Sequence, residues 1–161
     1  MSQAVFDKIE HELKSHGVEY RVLEHVASGL SKDVSLVREK LTGIPADQLM
    51  RMAIKAMILK VNGAFYQFNL AADKKIDFKK VKELVGSKAE FASPQEVKQL
   101  TDCEVGEVPP FGNLFGIKTY ADESITSEEI LFNAGMLTKT VFMQREDWVK
   151  IVNPCVEDFS Q

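Results

Sequence analysis

The chain has 161 residues, 45% of them hydrophobic and 27% charged, a length and composition that suit one domain (1–161) built on one core. Lys and Arg number 20 against 24 Asp and Glu, so the formal charge is −4; non-specific coating of nucleic acid is excluded, and any RNA contact needs a local basic patch. No apolar run reaches the roughly 18 residues of a membrane span, and the charge-interrupted start MSQAVFDKIEHELKSHG is no signal peptide. With only Cys103 and Cys155, no CxxC and no spaced His partner, the chain reads as a reduced, cytoplasmic protein with neither structural zinc nor a disulfide framework.

In chain order, Phe6, Ile9 and Leu13 recur at helical spacing, with Ser2 placed to cap the helix and Gly17 to stop it. Residues 18–24 alternate, with Val18, Tyr20 and Val22 apolar, and predict a half-buried strand ending near His25. Val34, Val37 and Leu41 predict a helix over 31–41 that stops at Thr42-Gly43, and residues 45–49 add a helical turn. Asn62-Gly63 then divides two β-rich runs. A two-residue type I′ turn there sets the register by counting: Val61 opposite Ala64, Leu59 opposite Tyr66, Met57 opposite Phe68 and Lys55 opposite Leu70. Ala53, Lys55, Met57 and Leu59 share one face, while Ile54, Ala56 and Ile58 share the other; this strand is apolar on both sides, and Lys55 is its only interior charge.

Beyond the hairpin, Asp73-Lys74-Lys75 leads into a helix over 76–85 with Val81, Leu84 and Val85 inward and Lys79, Lys80 and Lys82 outward. A short strand follows at 89–91. Ser93-Pro94-Gln95-Glu96 combines an N-cap serine, a first-turn proline and a capping-box glutamate. Gly106 to Gly112 is a proline-stiffened loop; strands follow at 117–121, 130–133 and 140–144, and a last helix starts at about 146. The residues alone predict a mixed α/β domain with hairpin-rich, largely antiparallel strands.

A lysine among apolar side chains is costly to desolvate. Lys55 therefore either snorkels to water from an open strand end or serves as a nucleophile, a general base or a cation that anchors an anionic or carbonyl group. The loop Val108-Pro109-Pro110-Phe111-Gly112 fixes φ and removes two donors, so it is either a structural turn or a rigid ligand rim. Lys74, Lys75, Lys79 and Lys80 are the place where this acidic protein can meet phosphates, if they are more than a solvated helix face. Asp122-Glu123 and Glu128-Glu129 sit in loop-like contexts that favour capping over a divalent site. No GxGxxG, Walker A, GxSxG or HExxH pattern is present, so no cofactor or metal is expected.

Taken in order, these segments resemble one family. The run 54–60 with its lysine, Ala92-Ser93-Pro94-Gln95-Glu96-Val97, Gly106 to Gly112 as a GxxPPFG loop, Asp122-Glu123-Ser124, Asn133-Ala134-Gly135 and His25 after a strand glutamate are similar to motifs of the YbaK/ProX aminoacyl-tRNA editing family, also found inserted in bacterial prolyl-tRNA synthetases. The resemblance covers about residues 18–152 and departs from the family at Ala56 and at 136–139. It implies a compact α/β fold whose twisted, barrel-like mixed sheet is surrounded by helices. It also implies a trans-editing deacylase acting on a mischarged aminoacyl-tRNA of the tRNA(Pro) type, with prolyl-tRNA synthetase as a candidate partner. Lys55 would be the catalytic residue, and Gly106, Pro109, Pro110, Phe111, Gly112, Asn133, Ala134, Gly135 and His25 would surround the substrate. The other readings open at this point are a non-catalytic aminoacyl-tRNA or oligonucleotide binder and an enzyme that uses Lys55 in a Schiff base.

Overall fold

The computed structural model describes residues 1–28 and 31–161. It begins with α1 (Gln3–Ser15), whose N-cap Ser2 accepts from the Val5 N–H and whose Phe6, Ile9 and Leu13 are buried, as the spacing predicts. There follow β1 (Tyr20–Glu24), α2 (Ser31–Thr42), α3 (Ala46–Met52), β2 (Ile54–Val61), β3 (Ala64–Ala71), α4 (Phe78–Val85), β4 (Glu90–Phe91) and α5 (Pro94–Thr101). A 3₁₀ turn (Gly112–Phe115), β5 (Lys118–Asp122), β6 (Glu129–Asn133), β7 (Lys139–Gln144), α6 (Arg145–Val152) and β8 (Cys155–Glu157) complete the chain. No helix among the described residues is long and apolar enough to cross a membrane.

The strands form two sheets, β1-β7-β6 and β4-β2-β3-β5-β8. The β2–β3 hairpin has the counted register, and Asn62 and Gly63 take the positive φ values, 51° and 80°, that its turn requires. Both of its faces are covered. Leu59, Phe68 and Leu70 pack with Val81 and Phe159 on one side, while Ile58 packs with Val97, Cys103 and Val108 on the other. The capping box at Ser93 and Glu96 starts α5 as the sequence predicts.

Several expectations are corrected. The two sheets are not closed into a barrel; they meet at an isolated parallel bridge between Ala53 and Leu131. The pairings are mostly antiparallel, but β5 runs parallel to both β3 and β8. Val22 is 36% exposed, because β1 is an edge strand with one sheet neighbour. On α2, Val34 is buried but Leu41 is 53% exposed, since the helix rests on the body through its Val34 side. The helix expected from Ile76 starts at Phe78, capped by Asp77, because Ile76 is held in a bridge with Ser160. The strand β8 has no sequence signal: its three residues are exposed, and the segment after it is pinned by Asp122, which accepts from the Phe159 N–H and the Ser160 hydroxyl.

One topological detail positions the site. Across β2 from β3, β4 pairs only with Leu59 and Lys60, and the next bridge lies at Ala53, so residues 54–57 are an open edge inside an otherwise central strand.

Candidate active site

A cavity of about 170 Å³ occupies that open edge. Ile58 C=O accepts from the Ala92 N–H, and Ala53 C=O accepts from the Ala72 N–H. Backbone groups alternate along a strand, so the carbonyls of Ile54 and Ala56 point from β2 toward the open side. Val34 and Arg38 of α2 form one wall, and Val105, Gly106 and Val108 of the loop form another.

Lys55 lines this cavity half-buried. Among the described residues it has no ion pair or hydrogen bond. Burial lowers its pKa below 10.5; Asp73 acts against that shift and Lys75 with it. Lys55 is thus neither sealed in the core nor, among the described residues, paired with a carboxylate.

The second cation of the cavity is one that sequence reasoning missed. Arg38 is 3% exposed. Its Nε donates to Thr140 Oγ1 at 2.9 Å and its Nη2 to Asn133 Oδ1 at 2.9 Å. Burial pushes its pKa down to about 10, which leaves it charged at neutral pH. The available signal was spacing: Arg38 lies four residues after Val34 and hence on the inward stripe of α2. Asn133 passes the network on, since its Nδ2 donates to Gly106 C=O at 2.8 Å.

His25 does not line the cavity and reaches Arg38 only through Thr140. Its Nε2 lies 2.7 Å from Thr140 Oγ1 and its Nδ1 2.8 Å from Val26 C=O. Thr140 accepts from Arg38, so its own proton goes to His25 Nε2, and the neutral Nδ1–H tautomer satisfies every partner. Burial lowers the His25 pKa below 6.5; the Arg38 charge adds to this, and the bond to Val26 opposes it.

Of the expected substrate shell, the structure brings Lys55, Gly106 and Asn133 to the cavity. Pro109, Pro110, Phe111 and Gly112 stand behind its wall. Pro109 C=O accepts from Gln67 Nε2, Pro110 C=O accepts from Trp148 Nε1, and Phe111 is in the core 5.4 Å from the Phe132 ring. Gly112 is required there because a Cβ would lie 2.0 Å from Thr119 Oγ1. Ala134 and Gly135 are also buried away from the cavity; Gly135, at φ +87°, packs against Val5 and Ser2 of the first helix. Lys74, Lys75 and Lys79 are exposed, whereas Lys80 is bound to Asp158 at 2.9 Å. Asp122 is buried; burial alone would raise its pKa, but hydrogen bonds from Phe159, Ser124 and Ser160 outweigh this and lower it, so the acidic motif is an anchor for the chain end.

A second, apolar groove of about 280 Å³ adjoins the cavity. The two share Ala56, Met57, Val105, Gly106 and Val108, and the outer rim of the groove is Phe91, 55% exposed.

Fold and site define a mixed α/β protein with a small, cation-bearing cavity cut into a sheet edge. The family model for the aminoacyl-tRNA editing domain matches residues 34–151. The chain is 34% identical over 154 residues to the multifunctional Ser/Thr-tRNA deacylase ProXp-y of Escherichia coli (strain K12), across 91% of this chain and 87% of that protein. It is 36% identical over 106 residues to a proline–tRNA ligase of Bacillus cereus (strain G9842), across 65% of this chain and 18% of the ligase. A crystal structure described as that of a candidate trans-editing enzyme for prolyl tRNA synthetase superposes with a TM-score of 0.82 at 20% identity, covering 100% of this chain and 99% of that one. This chain belongs to the aminoacyl-tRNA editing domain family.

Proposed function

We propose that the protein is a free-standing trans-editing deacylase that hydrolyses the ester joining a wrong amino acid to the 3′-terminal adenosine of a tRNA. The observation that carries this reading is Lys55: an unneutralised cation in a small cavity on the open edge of β2, in a chain that matches a named deacylase across 87% of that protein's length. Residues 1–161 act as one editing domain in the cytoplasm, where tRNAs are charged. Prolyl-tRNA synthetase is the candidate partner, and tRNA(Pro) the candidate tRNA.

An aminoacyl ester is already activated, so positioning and charge stabilisation suffice for hydrolysis. Lys55 anchors the terminal phosphate and ribose. The outward carbonyls of Ile54 and Ala56 accept from the α-ammonium group, and Gly106 and Asn133 shape the opposite wall, with His25 supporting them through Thr140. Val34, Val105 and Val108 limit the amino-acid side chain to a small one, such as serine, threonine or alanine. Editing by size supplements a synthetase whose own discrimination is only about 1–3 kcal/mol per methylene. The adjoining apolar groove takes the terminal adenine, and Lys74 and Lys75 face the approaching backbone.

The test is deacylation of a panel of mischarged tRNAs, among them alanyl-, cysteinyl-, seryl- and threonyl-tRNA, by the wild type and Lys55→Ala. Cleavage of at least one member, lost in a folded Lys55→Ala, is the expected result. Binding of the whole panel without turnover replaces the enzyme with a binding module.

A further inference from the structure

A buried guanidinium normally finds a carboxylate, because an unpaired charge out of water is costly. Arg38 has none. Among the described residues its partners are a threonine hydroxyl and an asparagine carbonyl, both neutral, and the cavity it lines carries no acidic side chain. A guanidinium has five N–H donors; with Nε on Thr140 and one Nη2 hydrogen on Asn133, three remain. The two occupied donors fix the guanidinium plane, so the remaining ones are held in a set direction beside the cavity.

We propose that Arg38 is a catalytic residue of the deacylation, its free N–H donors binding the carbonyl oxygen of the ester and stabilising the oxyanion formed on it. This rests on the deacylase reading above. Water adds to the carbonyl carbon, forming the new C–O bond as the π pair moves onto the carbonyl oxygen. That oxygen, now negative, is paired by Arg38. Collapse re-forms the C=O and breaks the bond to the ribose oxygen, which takes a proton that came from the water. The free amino acid and a tRNA with its terminal hydroxyl restored leave.

The division of labour between the two cations follows from depth. Lys55 is half-buried and feels the exposed Asp73 and Lys75, which places it toward solvent, where a phosphodiester with its flanking nucleotides can reach. Arg38 is 3% exposed, and only the compact ester end of a substrate fits beside it. The polar scaffold is also preorganised: Thr140 and Asn133 hold the guanidinium before substrate arrives, so no reorganisation is needed as charge develops.

The experiment is single-turnover cleavage of seryl- and threonyl-tRNA by wild type, Arg38→Gln and Arg38→Lys, with binding of the same tRNAs and circular dichroism measured in parallel. A catalytic role predicts that the chemical step slows about 10²- to 10³-fold in Arg38→Gln, that binding changes less than about threefold, and that Arg38→Lys recovers part of the rate. A folded Arg38→Gln that cleaves at near wild-type rate overturns the proposal, as does one that loses binding but keeps the rate at saturation. Should Arg38→Gln fail to fold, the wild type is labelled with ¹⁵N-arginine and mixed with a phosphonate analogue of the seryl ester on a 3′-terminal oligonucleotide. An Arg38 side-chain shift with the phosphonate but not with the unacylated oligonucleotide supports the role; identical spectra overturn it. A wild type that cleaves no aminoacyl-tRNA removes the deacylase reading itself, whereas cleavage retained by Arg38→Gln removes only this one.

Discussion

Asn133 Nδ2 donates to the Gly106 carbonyl at 2.8 Å, so the end of β6 holds the first glycine of the proline loop. The same side chain accepts from Arg38 through its Oδ1. One amide therefore sets both the loop wall of the cavity and the plane of its deep cation.

Asn133→Ala removes both contacts at once. A hydrogen bond to a charged group contributes about 1.5–3 kcal/mol, so kcat for deacylation is expected to fall about 10- to 100-fold. Because Asn133 is half-exposed, the fold should survive. Steady-state kinetics with urea denaturation checks both, and unchanged kcat would show that the amide has no part in holding Arg38.

Gly112→Ala tests the packing behind the loop. The added Cβ would meet Thr119 Oγ1 at 2.0 Å, with Ile117 C=O and Gln67 Oε1 within 3.3 Å. Overpacking of this kind costs about 1–3 kcal/mol, seen as a lowered urea midpoint. The double variant Gly112→Ala/Thr119→Ala removes the nearest clash and should recover at least half of the loss. No recovery would place the strain in the backbone instead.

His25 provides a pH signature. Its folded pKa lies below 6.5, with burial the main cause, so the unfolded chain binds the extra proton first. Stability from the neutral ring is complete above the unfolded value near 6.5 and is lost as pH falls through the lower folded value. NMR titration should give a His25 pKa under 6.5, and Thr140→Val should change it by removing the hydroxyl bonded to Nε2. A His25 pKa at or above 6.5 contradicts the lowering by burial.

Phe91→Ala tests the apolar groove as the adenine site. Stacking of a base on an aromatic ring is worth about 1–3 kcal/mol, so KM for charged tRNA should rise about 5- to 150-fold with little change in kcat. Phe91 is 55% exposed and pairs edge-on with Phe78, so a small effect on folding is expected. A kcat loss without a KM change would move the base elsewhere.

Much of the fold is legible because its determinants are near neighbours in the chain. The Asn62-Gly63 turn sets the hairpin register, since both residues tolerate positive φ and the strands then pair by counting. The capping box at Ser93 and Glu96 spans one helical turn, and the buried stripe of α1 repeats with the helix period. Lys55 is visible for a similar reason: one charge in the interior of a doubly apolar strand breaks a local pattern. The exposed Val22 and the three-residue β8 were not legible, because an edge position and a pinned tail depend on what lies beside them, not on their own residues.

The amino-acid sequence by itself determined the hairpin, its lysine, the caps and the order of motifs that marks the family, all written at separations of a few residues or as a fixed pattern. Only the tertiary structure decided the chemistry of the cavity. Arg38 meets Asn133 across 95 residues and Thr140 across 102, and Lys80 pairs with Asp158 across 78. A charge is read from the sequence, but whether it is neutralised depends on which distant group folding brings within about 3 Å of it.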